Sequence, residues 1–352
     1  MASKIVALFP GQGSQHVGMA KELLENFQIA RETFEEASDA AKLNIRKLCL
    51  EGPESDLKLT ENTQPCLLTA SVAAFRAASA EFEFKPAVVA GHSLGEYSAL
   101  VAAGALPLGQ AAAWVRERGA AMQKAVPSGQ GTMAAVLGTP GPAGSDDAVQ
   151  IFRLCEAATA AAQAKRSTGE SPELSAHLTV EAIVEPANFN APGQIVIAGS
   201  TDAVAEALAW IKSGGPNGEF AGAKAIPLSV SAPFHCRLMR PAREKMAELF
   251  SRAAVPSTLA CPYVPNRTAR LTRELGVIYE LLVEQIDHPV LWSQSVTGLL
   301  ESGFTKYAEF GPGKVLSGLM KRIAQKIDKP FSTANVSDLA STRAFEGWLK
   351  AE

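Results

Sequence analysis

Apolar positions along the chain fall into short blocks separated by longer stretches with helical spacing. Residues 4–9 read KIVALF, a run of large and β-branched residues stopped by Pro10 and Gly11, and predict a buried strand. Residues 19–40 carry apolar side chains at helical spacing among many charges, and predict one amphipathic helix. Residues 65–80 are alanine-rich and predict a second helix that begins at Pro65. Pro86 precedes a predicted strand at 87–90, and 109–125 is helical again. Strands alternating with helices in this way predict an α/β fold with a mostly parallel sheet.

The texture changes after Pro127-Ser128-Gly129. Residues 132–137 predict a strand and 146–165 a helix. Residues 178–185 and 194–198 predict strands, with Asn188 to Gly193 as the turn between them. A helix at 201–212 and a strand at 224–230 follow. The order βαββαβ is the ferredoxin-like pattern. It predicts a small ferredoxin-like domain over 129–226, inserted into a large α/β-hydrolase-like domain made of 1–128 and 227–352. The segment 139–177, rich in Pro, Gly, Ser and Ala, is an extended part of that insertion, and its ends read as surface loop.

Composition narrows the function. The net charge is −3 and no long basic run occurs, which argues against a nucleic-acid or membrane-surface binder. Five cysteines are scattered without a CxxC pair, so neither a disulfide framework nor a zinc knuckle is indicated. Reduced thiols point to the cytoplasm. The first apolar run is too short for a signal peptide, and no uncharged stretch is long enough to span a bilayer.

The chemistry is concentrated at Gly91-His92-Ser93-Leu94-Gly95. Val88-Val89 leads into it and a helix-favouring run follows. G-x-S-x-G on a strand-to-helix turn lifts a serine Oγ clear of the sheet and aims a helix N-terminus at it. Free backbone N–H groups there can hold a developing oxyanion. A serine nucleophile needs a base, and there are five histidines to choose from. His92 adjoins the serine but points away from it on a turn, and suits packing or capping. His235, in Pro233-Phe234-His235, lies between a predicted strand and a helix. Spacing leaves the base open between His235 and the others. Two further loops, Phe9-Pro10-Gly11-Gln12-Gly13 and Gly311-Pro312-Gly313-Lys314, are neither a dinucleotide fingerprint nor a P-loop, because His16 and Val315 stand where those motifs need other residues.

Taken together, these segments resemble the malonyl-CoA:acyl carrier protein transacylase family of bacterial fatty acid synthesis. The likeness covers nearly the whole chain. It includes residues 9–15 and 91–100, Arg118-Gly119 with Met122-Gln123, residues 188–199, Pro233-Phe234-His235, residues 285–290 and residues 310–314. The resemblance implies that Ser93 attacks the thioester carbonyl and that His235 takes its proton and later activates the incoming thiol. Gln12 and Leu94 would offer backbone N–H groups to the oxyanion. Arg118 would pair with the malonyl carboxylate, and Gln285 would support the histidine where a triad uses Asp. Met122 and Phe234 would line the acyl pocket. Malonyl-CoA and acyl carrier protein are the implied partners, a monomer is compatible with the reading, and no metal or other cofactor is expected. Arg116, two residues from Arg118 on a helix, reads as solvated charge. Lys314, Lys321 and Arg322 are the positions expected to meet an acidic carrier protein.

Two other readings compete. A serine esterase or thioesterase would share the serine turn, but should show an HGGG-like loop, which is absent. A non-catalytic module binding carrier protein would not need Ser93, His235, Arg118 and Gln12 together.

Overall fold

The computed structural model describes residues 4–141, 146–169, 178–215, 217–230 and 232–351. The strands among them are, in chain order, β1 (Ile5–Phe9), β2 (Val88–Gly91), β3 (Gly131–Leu137), β4 (Val184–Ala191), β5 (Gln194–Ser200), β6 (Lys224–Pro227), β7 (Tyr263–Val264), β8 (Lys306–Phe310) and β9 (Ser332–Val336). They form two sheets, a parallel one of five strands and an antiparallel one of four.

The chain divides into two compact units. The first comprises residues 1–120, 250–281 and 294–352. Its parallel sheet has the order β7-β2-β1-β8-β9. Every residue of β1 and β2 is buried, as expected for parallel strands covered on both faces. Phe9, at the end of β1, lies 6.0 Å from Phe310 at the end of β8, and Phe75 meets Phe310 edge-on at 5.4 Å. Aromatic pairs of this kind add about 0.5–1.5 kcal/mol each beyond their buried area. The cluster anchors the strand ends from which the Gly11 and Gly311 loops leave.

Two elements of this unit differ from the sequence expectation. The helix expected over 19–40 is two helices, Lys21–Asn26 and Gln28–Ala41, because Phe27 is extended (φ −120°). Arg31 from the second helix donates to the Leu24 carbonyl at 2.8 Å, which satisfies an end of the first. The helix expected from Pro65 runs Thr60–Phe82. Its first turn is held by the Asn62 and Thr63 amides on the Leu59 carbonyl, each at 2.8 Å, so Pro65 falls inside it.

The second unit comprises residues 121–249 and 282–293, more chain than the insertion expected over 129–226. Its antiparallel sheet has the order β4-β5-β3-β6. The helices Asp147–Thr168 and Thr201–Ser213 pack on it through Ile151, Leu154, Ala158, Val204 and Ala207. Asp146 caps the first of these by accepting from the Val149 amide at 2.9 Å. β4 starts later than expected and takes in most of the Asn188–Gly193 stretch. The turn shrinks to Pro192-Gly193, with φ +67° at Gly193, the residue order a type II turn requires. Part of the 139–177 segment, residues 142–145 and 170–177, lies outside the described residues.

Candidate active site

In the first unit the serine turn is built by close backbone approach. A Cβ on Gly91 would stand 1.9 Å from the Gly95 carbonyl oxygen, and one on Gly95 would stand 2.0 Å from that of Phe9. Only glycine allows β2, the turn and the helix Gly95–Ala102 to pack this tightly. Ser93 itself has φ +51°, a left-handed conformation that costs a residue with a side chain roughly 1–3 kcal/mol. The amides of Gly95, Glu96 and Tyr97 bond back to the carbonyls of His92, Ser93 and Leu94 and start the helix. Leu94 is buried, and its own N–H engages no group among the described residues.

The loop after β1 lies against this turn. Gly11 approaches so near that a Cβ there would be 2.5 Å from the His92 carbonyl oxygen. The Ser14 hydroxyl closes the loop by donating to the Gly11 carbonyl at 2.9 Å. Gln12 is exposed at its crest, and its N–H also engages no group among the described residues.

Arg118, on the helix Leu108–Lys124, is 1% exposed. It donates to the Gln64 side-chain oxygen at 2.8 Å and to Ser93 Oγ at 3.2 Å, and lies 5.6 Å from the centre of the Tyr97 ring. Burial pulls its pKa below the ordinary guanidinium value, while Tyr97 and the buried Glu96 oppose that shift. A buried cation of this kind needs anionic or acceptor partners. Arg116 is not simply solvated. It is half-buried and donates to the carbonyls of Ala41 and Lys42 at 2.6 and 3.0 Å, capping the end of a helix.

The second unit carries the remaining candidates. His235 is 4% exposed and has φ +62°. Its Nδ1 lies 2.8 Å from the main-chain carbonyl of Gln285. That acceptor places the proton on Nδ1 in the neutral ring and leaves Nε2 as the basic nitrogen. The Gln285 backbone therefore supports the histidine. Met122 and Phe234 are both buried in this unit.

Three residues near the serine turn escaped sequence reasoning. Gln64 holds Arg118, Glu96 lies buried in the helix after the serine, and Asn266 bonds the turn itself. Among the described residues, no group of three or more His, Cys, Asp and Glu could hold a metal ion. No helix among them is long and apolar enough to cross a membrane.

The acyl transferase domain family matches residues 6–149, the stretch that holds the strained Ser93 turn and the buried Arg118. A malonyl CoA-acyl carrier protein transacylase of Salmonella typhimurium is 42% identical over 320 residues, which cover 91% of this chain and 93% of that protein. The crystal structure of a malonyl-CoA:acyl carrier protein transacylase from Xanthomonas oryzae has a TM-score of 0.83 at 41% identity, covering 99% of this chain and 98% of that one. A malonyl-transacylase solved in complex with its type II polyketide acyl-carrier protein has a TM-score of 0.81 at 38% identity, covering 97% and 98%. The chain belongs to the malonyl CoA-acyl carrier protein transacylase family.

Proposed function

We propose that this protein moves a malonyl group from malonyl-CoA to the phosphopantetheine thiol of an acyl carrier protein, for fatty acid or polyketide chain extension. Ser93 Oγ attacks the thioester carbonyl while its proton passes to Nε2 of His235. The backbone N–H groups of Gln12 and Leu94 receive the negative charge that develops on the carbonyl oxygen. The C–S bond breaks, the CoA thiol leaves with the proton from His235, and a malonyl ester remains on Ser93. The carrier thiol then loses its proton to His235 and attacks that ester. The C–O bond breaks and the proton returns to Ser93. One thioester replaces another, so the exchange needs no metal, nucleotide or redox cofactor.

The observation that carries this reading is the buried Arg118 within 3.2 Å of Ser93 Oγ. A planar guanidinium there suits the free carboxylate of a malonyl group, which acetyl lacks. Met122 and Phe234 are read as lining for the acyl group. The βαββαβ order and antiparallel pairing of β3 to β6 support a ferredoxin-like subdomain, and the parallel sheet with its serine turn supports an α/β-hydrolase-like domain. Five buried free cysteines support a reducing compartment such as the cytoplasm. The test is the fate of the malonyl-enzyme. Adding phosphopantetheinylated carrier protein should yield malonyl-carrier much faster than malonate appears without it. Release of malonate at the same rate with and without carrier would make the protein a thioesterase instead.

A further inference from the structure

The geometry points to Asn266 as a positioning residue that holds the Ser93 turn in its reactive conformation. The strand β7 pairs with β2 in parallel register, Val89 with Tyr263 and Ala90 with Val264. Two residues further along each strand, Asn266 comes level with the serine turn. Its carboxamide spans that turn. Asn266 Oδ1 accepts from the Ser93 amide at 2.6 Å, and Asn266 Nδ2 donates to the Gly91 carbonyl at 2.6 Å. One side chain thus ties the residue two before the nucleophile to the nucleophile itself. Asn266 is fully buried, and its own amide donates to the buried Glu96 carboxylate at 3.0 Å. Glu96 belongs to the helix that begins after the turn, so the strand end, the turn and the helix are fastened through one residue.

This fastening has a chemical consequence. Ser93 holds a positive φ, which relaxed backbone avoids, and the Asn266 carboxamide holds the backbone leading into it, at the Ser93 amide and the Gly91 carbonyl. The Ser93 N–H is engaged by Asn266, so it cannot also serve the oxyanion. The Leu94 N–H is left as the donor on this side of the turn. The carboxamide does both jobs because it offers an acceptor and a donor from one planar group without a change of protonation.

The inference rests on Ser93 being the acylated nucleophile, and the experiment separates the two. Wild type, Asn266→Asp and Asn266→Ser are mixed rapidly with malonyl-CoA, and malonyl-enzyme is followed by intact mass, with Ser93→Ala as control. Asp keeps the acceptor and loses the donor, whereas Ser shortens the bridge. The rate constant for acylation should fall about 10- to 100-fold in each variant, with KM for malonyl-CoA within about twofold. The burst amplitude per folded molecule should stay that of wild type. Labelling of Ser93 by a fluorophosphonate should slow in parallel. An unchanged rate constant, or a loss explained wholly by a smaller burst, overturns the assignment. Failure of both variants to fold would make Asn266 a structural residue and overturn it too. Malonyl mass on Ser93→Ala would instead defeat the role of Ser93.

Discussion

Arg118 Nη2 donates to Ser93 Oγ across 3.2 Å, and its Nη1 is fixed on Gln64 at 2.8 Å. The guanidinium is thus both buried and oriented beside the nucleophile. A charge-assisted hydrogen bond contributes about 1.5–3 kcal/mol, equivalent to roughly 10- to 150-fold in rate. Arg118→Ala should therefore cut malonyl transfer by at least an order of magnitude while sparing or improving acetyl transfer. The check is a competition between malonyl-CoA and acetyl-CoA with one carrier protein. An unchanged malonyl-to-acetyl ratio in the variant would remove Arg118 from substrate selection.

The approach that brings Arg118 to Gln64 depends on its neighbour. A Cβ on Gly119 would stand 2.6 Å from the Thr60 carbonyl oxygen and 2.7 Å from Glu61 Cα. Backbone cannot yield as a flexible side chain does, so Gly119→Ala must push the two helices apart. Overpacking of this kind costs about 1–3 kcal/mol. Urea denaturation should show that loss, together with weaker malonyl selectivity. Gly276→Ala, where a Cβ meets nothing within 4 Å, is the control and should show neither change.

Substitutions at His235 and Gln285 should have unequal effects. The Nδ1 bond at 2.8 Å is made to the Gln285 main chain, and a substitution keeps that carbonyl. Gln285→Ala should reduce transfer per folded molecule far less than the roughly 10⁴-fold loss that follows when a triad's side-chain orienter is altered. His235→Ala should abolish acylation to within a small residue. Equal losses in both variants would show that the Gln285 side chain orients the histidine.

Lys314, Lys321 and Arg322 are all exposed, at and after the Gly311 loop. If they attract an acidic carrier protein, reversing their charges should lower its association rate, mostly at low salt. Stopped-flow binding at two ionic strengths checks this. A rate that is unchanged at both would leave them as an ordinary solvated helix face.

The serine turn was legible because its chemistry is tied to sterics. The collisions that a Cβ would make at Gly91 and Gly95 are the reason the motif has glycines, so the motif reports the geometry directly. The parallel sheet was legible from fully apolar strands such as Ile5–Phe9. Asn266 was not legible, because β7 has only two residues, between Pro262 and Pro265, and shows no periodicity. Its role depends on parallel register with β2, a long-range relationship. The break at Phe27 was hidden for a different reason: neither proline nor glycine marks it, and the bond from Arg31 to the Leu24 carbonyl that spans it leaves no signature in the sequence. For His235, residue type named the partner position, Gln285, but could not say that the backbone makes the bond.

The most direct test of the account is the mass of the enzyme after brief mixing with malonyl-CoA and acid quenching, followed by peptide mapping. Wild type should gain one malonyl group, on the peptide bearing Ser93, and should lose it when phosphopantetheinylated carrier protein is added. Ser93→Ala should gain none. A malonyl adduct on another residue, or rapid transfer to carrier by Ser93→Ala, would contradict the account.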